Sequence, residues 1–387
     1  MKILAIQPSV PFGLTSGFDI RNAAVLRALS EAGDLTTLVL RGKLASQAPD
    51  WVNLVTLDPE AKGSIWKTGV LHPLSTQIQP FEKKQISALI ARIKPDVVVI
   101  EGVLLRGVLP LLAKARVPTV LDMHNIESDL LPQLLAKIKW RYWPGNYLRE
   151  LIKLAVAPRE DRRAAHMAGQ VWVCSYSDVD RLNALTGIIG KVVPNPIPNP
   201  QLLKLRISAE RYSTPHLVYV GQLKYAPNAD AVKTLCLEIT PKLPSGSVLQ
   251  IVGINAPIPL RTLIASSGAT LVDSPRDLTP YLAASGYSIM PINLGGGTRI
   301  KVLEALAAGL VVIATDKAVE GLRLTDGKHY IAAQTPAESL SCLQKCLDNP
   351  ENAAKIAQQG RAFVEQNFGA ETISLAVTNA LDSLTSS

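Results

Sequence analysis

The chain is poor in the residues that usually announce special chemistry. Among 387 residues it has four cysteines, five histidines and 5% aromatic residues. The cysteines (Cys174, Cys236, Cys342 and Cys346) are too few and too scattered for a disulfide framework. Cys342 and Cys346 fall one helical turn apart with no histidine cluster nearby, which argues against zinc. Free thiols in a reducing cytosol are the expectation. No run of about 20 apolar residues exists, so no membrane-spanning helix is expected. After Met1 and Lys2 only Ile3 to Ile6 are apolar before Gln7 and Pro8, which reads as a first strand and not as a secretion signal. Charged residues make up 19% against 47% hydrophobic, and that ratio excludes a disordered chain.

What is present is a series of short aliphatic runs bounded by Gly and Pro, the mark of parallel strands covered on both faces. Strands are expected at Lys2–Ile6, Thr36–Leu40, Asp96–Ile100, Thr119–Asp122 and Val171–Cys174. A loop with Gly13 and Gly17 follows the first strand. A helix from about Asp19 to Ala32 stops at Gly33, and another ends near Lys94, before Pro95. Such alternation implies a doubly wound α/β sheet. The segment Val193 to Pro200, VPNPIPNP, is stiff and extended and marks a domain boundary. The pattern then restarts with strands at Leu217–Val220, Val248–Gly253 and Thr270–Val272 and a helix after Asn228, and helices from Ala337 to Leu384 close the chain. Two domains fit the length. A ligand cleft is expected between two such halves, at the carboxyl ends of both sheets.

The net charge is +8 and unevenly spread. Within 137–163 stand Lys137, Lys139, Arg141, Arg149, Lys153, Arg159, Arg162 and Arg163, against Glu150, Glu160 and Asp161. Trp140, Tyr142, Trp143 and Tyr147 interleave with them. Cations mixed with aromatics suit an anionic membrane surface, the favoured reading. A nucleic acid is the other electrostatic option, but no binding motif accompanies the patch, and no nucleic-acid partner is expected. A solvated helix with cationic stems over apolar surface is the plain alternative.

The most informative stretch runs from Met290 to Asp316. An apolar strand, Ser288 to Ile292, breaks into Gly295, Gly296 and Gly297. A helix is expected from Thr298 to Gly309, then a strand at Val311–Thr315. Arg299 and Lys301 sit in the first turn, where the helix dipole disfavours each cation by roughly 0.3–1 kcal/mol. Glycines allow close backbone approach, and a helix N-terminus binds anions. A phosphate or diphosphate reached by both cations explains the pattern. Glu304, three residues after Lys301, shares a face with it and can accept hydrogen bonds from sugar hydroxyls. Taken alone, the segment is equally compatible with an ordinary βα turn and a surface ion pair.

Five stretches in order extend this reading over nearly the whole chain: Ser16 to Asn22 after the first strand, Leu121-Asp122-Met123-His124-Asn125-Ile126-Glu127, Val193-Pro194-Asn195, Tyr219 to Asn228, and the glycine segment through Val319-Glu320-Gly321-Leu322. Together they resemble a GT-B glycosyltransferase of the retaining family 4, in the branch with a GGGTRxK donor loop. The resemblance implies a GT-B fold of two Rossmann-like, doubly wound parallel-sheet domains. The first, 1–195, would bind the acceptor and the second, 196–368, a nucleotide-sugar donor. The terminal helix, 369–387, would pack on the first domain. It implies transfer of a sugar from a UDP- or GDP-linked donor to a saccharide or lipid-linked acceptor, in cell-envelope polysaccharide or glycolipid synthesis. The protein would be cytoplasmic, peripheral at the inner face of the membrane, and would need no metal.

Residue by residue, Glu304 matches the second glutamate of the family's E-x7-E motif, which accepts from the donor ribose. Gly296 stands where the first glutamate is usual. In this branch the backbone at Gly295, Gly296, Gly297 and Thr298 meets the donor instead. Lys301 and Arg299 would counter the diphosphate. Gln222 replaces the usual arginine after Gly221, and Lys224 is the substitute cation. Gly17 resembles the glycine that approaches the diphosphate from the acceptor domain. His124 resembles the histidine that points at the reacting sugar, making His124, Arg299, Lys301 and Glu304 the catalytic set. Asp178-Val179-Asp180 has an Asp-x-Asp form, but behind Ser175 the acids read as first-turn residues of a helix. A nucleotide-sugar epimerase and a noncatalytic GT-B-like binding subunit are the alternatives.

Overall fold

The computed structural model describes residues 1–10, 12, 16–40, 49–57, 68–69, 72–76, 78–135 and 144–385. Gly13 lies outside these, as do Lys137, Lys139, Trp140, Arg141, Tyr142 and Trp143 of the basic aromatic segment. The chain divides into two compact units, Met1–Asn195 with Ala370–Ser387, and Pro196–Gly369.

The first unit holds β1 (Lys2–Gln7), β2 (Asp34–Val39), β3 (Asn53–Thr56), β4 (Thr68–Gly69), β5 (His72–Thr76), β6 (Val97–Glu101), β7 (Thr119–Met123), β8 (Gln170–Val173) and β9 (Lys191–Val192). Seven of them form one parallel sheet in the order β3-β2-β1-β6-β7-β8-β9, and β4 pairs antiparallel with β5. Successive side chains alternate between two buried faces, which explains why the strands are apolar throughout. Leu4, Ile6, Val98, Ile100 and Leu121 enter one core; Ile3, Ala5, Val97, Val99 and Val120 enter another on the opposite face. The second core is completed by Val25, Leu26 and Leu29 of the Gly17–Ala32 helix and by Ile373, Val377, Ala380 and Leu381 of the Ala370–Thr385 helix. The Gly17–Ala32 helix starts two residues earlier than the sequence pattern indicates, because Ser16 and Asp19 form a capping box around its first turn.

The second unit holds β10 (His216–Gln222), β11 (Val248–Ile254), β12 (Thr270–Asp273), β13 (Tyr287–Met290), β14 (Val311–Ala314) and β15 (Ile331–Ala332), all parallel, in the order β12-β11-β10-β13-β14-β15. In both units the strand order reverses beside the first strand, between β1 and β6 and between β10 and β13. Open α/β sheets bind ligands at the carboxyl ends of strands at such a switch point.

Boundaries also differ from the sequence reading around the glycine segment. β13 ends at Met290, not Ile292, since Pro291 has no N–H for a ladder. The following helix spans Ile300–Ala307, not Thr298–Gly309. Arg299 is its N-cap, held extended at φ −88°, ψ 102°. Gly309, just past the C-cap Ala308, takes φ +72°. Among the described residues no helix is long and apolar enough to cross a membrane.

Candidate functional site

The first cluster gathers at the β10–β13 switch point. Gly221, near the end of β10, is level with Gly253 of β11. Against it rests the ammonium of Lys301, from the second position of the Ile300–Ala307 helix. A Cβ at Gly221 would lie 2.9 Å from Lys301 Nζ and 2.9 Å from Asn228 Nδ2, so any larger residue would push these side chains aside. Lys301 Nζ donates to the Tyr219 hydroxyl at 3.1 Å and, in a short bond, to Asn228 Oδ1. It also lies 4.6 Å from the Tyr219 ring centroid, within cation–π range. Asn228 Nδ2 is committed to the Gln222 carbonyl at 2.9 Å, which aims its oxygen at the lysine.

Lys301 is thus held by neutral groups only. Burial, reinforced by the neighbouring Arg299 charge, lowers its pKa to about 7, with Glu304 pulling the other way. Glu304, 8% exposed, is pushed up to about 7 by burial, against the attraction of Lys301. No carboxylate lies within ion-pairing range of Lys301 among the described residues, and no cation within that range of Glu304. The surface ion pair that the sequence left open is therefore not formed. A half-buried lysine and a buried glutamate without ionic partners, at a helix start behind a glycine loop, are what a bound polyanion with hydroxyl groups would satisfy.

Arg299 does something different from the cation expected in the helix's first turn. Its guanidinium folds back, donating to the Gly295 carbonyl at 2.8 Å and to the Gly297 carbonyl, and lies 3.8 Å from the Glu320 carboxylate. Glu320 in turn accepts from Lys317 at 2.7 Å. Gly295 at φ +116° and Gly297 at φ +62° adopt conformations that glycine tolerates. A trans peptide points its C=O and N–H in opposite directions. With the carbonyls of Gly295 and Gly297 turned to Arg299, the N–H groups of Gly296 and Thr298 point away from it. Lys224 is exposed on the turn after β10 and makes no ion pair within the described residues.

The second cluster lies at the switch point of the first unit. Glu101 ends β6 opposite Asp122 of β7, and His124 follows β7 directly. Asp122, fully buried, binds Arg21 through both oxygens, Oδ2 at 3.1 Å from Nε and Oδ1 at 2.6 Å from Nη2. Arg21 Nη1 also donates to the Val193 carbonyl at 2.8 Å and to Asn195 Oδ1 at 3.1 Å. His124 Nδ1 lies 2.8 Å from Glu101 Oε1. The Asn22 amide lies against both Glu101 oxygens, and assigning its nitrogen to that side gives donors at 2.9 and 2.8 Å. Phe18, next to Gly17 in the first turn of its helix, meets the His124 ring edge-on at 4.8 Å between centroids. Burial, then the Asp122 charge, raises Glu101 to about 7. Burial alone would lower His124, but its bond to Glu101 and the charges of Glu101 and Asp122 raise it overall.

The structure therefore joins Gly221 with Lys301, and Gly295 and Gly297 with Arg299, while Glu304 shares the helix of Lys301. His124 and the Gly17 turn belong to the first unit. Asp178 serves a helix start: its N–H donates to the Ser175 hydroxyl at 3.2 Å and its carboxylate pairs with Arg181. Sequence reasoning gave no role to Glu101, Asn22, Tyr219, Asn228 or Glu320. Only Glu101 carried a local signal, a charge closing the all-apolar run Val97 to Ile100.

Residues 214–349 match the family model described as glycosyl transferases group 1. No curated protein matches the chain. Among solved structures, sucrose-phosphate synthase from Thermosynechococcus elongatus is similar at TM-score 0.75 and 16% identity, over 100% of this chain and 99% of that one. HepE from Anabaena in complex with UDP follows at TM-score 0.67 and 15% identity, over 99% and 100% of the two chains, and was also solved with UDP-glucose. A glycosyltransferase from Rickettsia africae has TM-score 0.67 and 14% identity, over 100% and 98%. These likenesses show the GT-B fold, two Rossmann-like parallel-sheet domains.

Proposed function

We propose that this protein is a glycosyltransferase that moves a sugar from a nucleoside-diphosphate sugar to a saccharide or lipid-linked acceptor with retention of configuration. The observation that carries the reading is the Lys301–Glu304 arrangement: a half-buried ammonium and a buried carboxylate without ionic partners, one turn apart, behind three glycines and against Gly221. The match of residues 214–349 to a glycosyltransferase family model supports it, as do the UDP and UDP-glucose complexes of a structural neighbour.

In this reading the diphosphate lies over the Gly295–Thr298 loop. Lys301 and the N–H groups of Gly296 and Thr298 counter the negative charge that grows on the leaving diphosphate, a contribution worth several kcal/mol in a dry site. Glu304 accepts hydrogen bonds from the ribose. Arg299 acts by holding the loop, and His124 by a hydrogen bond to the reacting sugar. The acceptor attacks from the face the diphosphate leaves, with the β-phosphate taking its proton.

The test is incubation with UDP- and GDP-sugars followed by product analysis. Transfer or slow donor hydrolysis is expected. An epimerised donor identifies an epimerase, and an unchanged donor a binding subunit; either sinks the proposal. Lys301→Ala and Glu304→Ala should each lower turnover at least about tenfold, roughly 1.4 kcal/mol of transition-state stabilisation. Near-normal turnover in both would overturn the site assignment.

A further inference from the structure

We propose that Glu101 is a positioning residue for His124: it accepts the imidazole Nδ1–H and so presents Nε2 to a hydroxyl of the bound sugar. The ligand rests on the glycosyl-transfer reading; the arrangement of the dyad does not.

The contacts around Glu101 suit a carboxylate that accepts from the imidazole Nδ1–H. Glu101 Oε1 faces Asn22 at 2.9 Å and His124 Nδ1 at 2.8 Å, and Oε2 faces Asn22 at 2.8 Å. An amide nitrogen only donates, so Asn22 engages both oxygens as acceptors. With the Asn22 amide turned this way a carboxylate satisfies all three contacts, and in that form the imidazole Nδ1 carries the hydrogen shared with Glu101. The ring is fixed on other sides as well. A Cβ at Gly102 would lie 3.2 Å from His124 Cε1, so the missing side chain of that glycine leaves room for the ring. Phe18 packs against it edge-on. The His124 side chain keeps 21% of its surface exposed while Glu101 keeps 1%. With Nδ1 spent on a buried partner, Nε2 is the nitrogen that can meet a ligand.

The bond between the two groups favours an ionised pair, against the burial and the Asp122 charge that raise Glu101 to about 7. Arg21, from the Gly17–Ala32 helix, is matched by Asp122 of β7. Glu127, at the start of the Glu127–Leu135 helix, adds a carboxyl whose pKa burial raises, and Cys174 after β8 is a thiol whose pKa burial raises and which donates to the His124 carbonyl at 3.4 Å. With Arg21 and Asp122 cancelling, a neutral His124 beside ionised Glu101 would leave a net negative charge out of water. An imidazolium cancels it and makes Nε2–H a donor to the sugar oxygen.

Selective 15N labelling of histidine tests the dyad in the protein alone. His124 is assigned among five histidines by its loss in His124→Asn. In the wild type, both ring nitrogens should be protonated at neutral pH. Glu101→Gln preserves shape but removes the charge, and should lower the His124 titration midpoint by at least about one pH unit. An unchanged midpoint and tautomer overturns the proposal. In transfer assays Glu101→Gln should cut kcat roughly 10- to 100-fold, the range for a residue that orients a histidine, with the KM for the nucleotide sugar within about threefold. Its alkaline limb should move down with the His124 midpoint, because the imidazolium is the form that donates to the sugar. If the wild type transfers sugar and Glu101→Gln does so with the same kcat and pH profile, the positioning role is wrong. If the wild type transfers nothing but the histidine signals change as stated, the dyad stands and the glycosyl-transfer reading falls.

Discussion

The environment of Lys301 makes its charge conditional. Its ammonium has a hydroxyl, an amide oxygen and a ring face as partners, and burial lowers its pKa to about 7. In the proposed function a diphosphate binds the protonated form and raises the pKa again. The sign follows directly. Below about pH 7 the lysine is charged with or without nucleotide, and affinity is flat in this group. Above it the unbound protein has lost the proton and must take one up, so UDP affinity should fall by up to about tenfold per pH unit. Calorimetry between pH 6.5 and 9, in buffers of different ionisation enthalpy, should show proton uptake that Lys301→Ala abolishes; pH-independent affinity would count against the assignment. The same shifts act on folding in opposite directions. With Lys301 depressed, the unfolded chain binds the extra proton between about pH 7 and its ordinary value, so stability rises with pH there. With Glu304 raised, the folded chain binds the extra proton between its ordinary value and about pH 7, so stability falls with pH across that window.

Among the elements, the glycine loop and its helix depend on one side chain. Arg299 forks onto two loop carbonyls and lies beside Glu320, which follows β14 by only a few residues. Lysine keeps the charge but cannot span two carbonyls. If Arg299 acts by shaping the loop, Arg299→Lys should raise the KM for the nucleotide sugar at least about fivefold, near 1 kcal/mol. Little change in melting temperature should accompany it. If Arg299 met the diphosphate as a simple charge, lysine would retain most of the affinity, and KM values for the two proteins would coincide. The location of this element was legible: apolar strand, three glycines, helix, apolar strand. Its cap was not. The helix begins at Ile300 because the guanidinium that orders the preceding turn finds its carboxylate 21 residues further on, and no local pattern marks Glu320 as that carboxylate.

For the molecule as a whole, the Ala370–Thr385 helix is built into the first unit, where Ile373, Val377 and Leu381 are at most 2% exposed beside Val25, Leu26 and Trp172. Burial of three such side chains contributes roughly 1.5–3 kcal/mol each, comparable with the whole stability of a domain. A chain ending at Gly369 should lose the cooperative melting of the first unit and show red-shifted tryptophan emission as Trp172 meets water. An unchanged melt would show that the first unit does not need the helix. The α/β class and the parallel sheets were readable in the sequence by itself, because burial on both faces demands unbroken aliphatic runs, and these are local. The candidate chemistry of Gly295 to Glu304 was readable for the same reason, since its residues share one turn and one helix. Only the tertiary structure decided the partners. Strand order puts β10 beside β13, so Lys301 meets Tyr219 and Asn228; it puts β6 beside β7, so Glu101 meets His124. A polar side chain acts through atoms within about 3 Å, and which atoms come that close across a sheet is set by how the strands are ordered, not by any spacing along the chain.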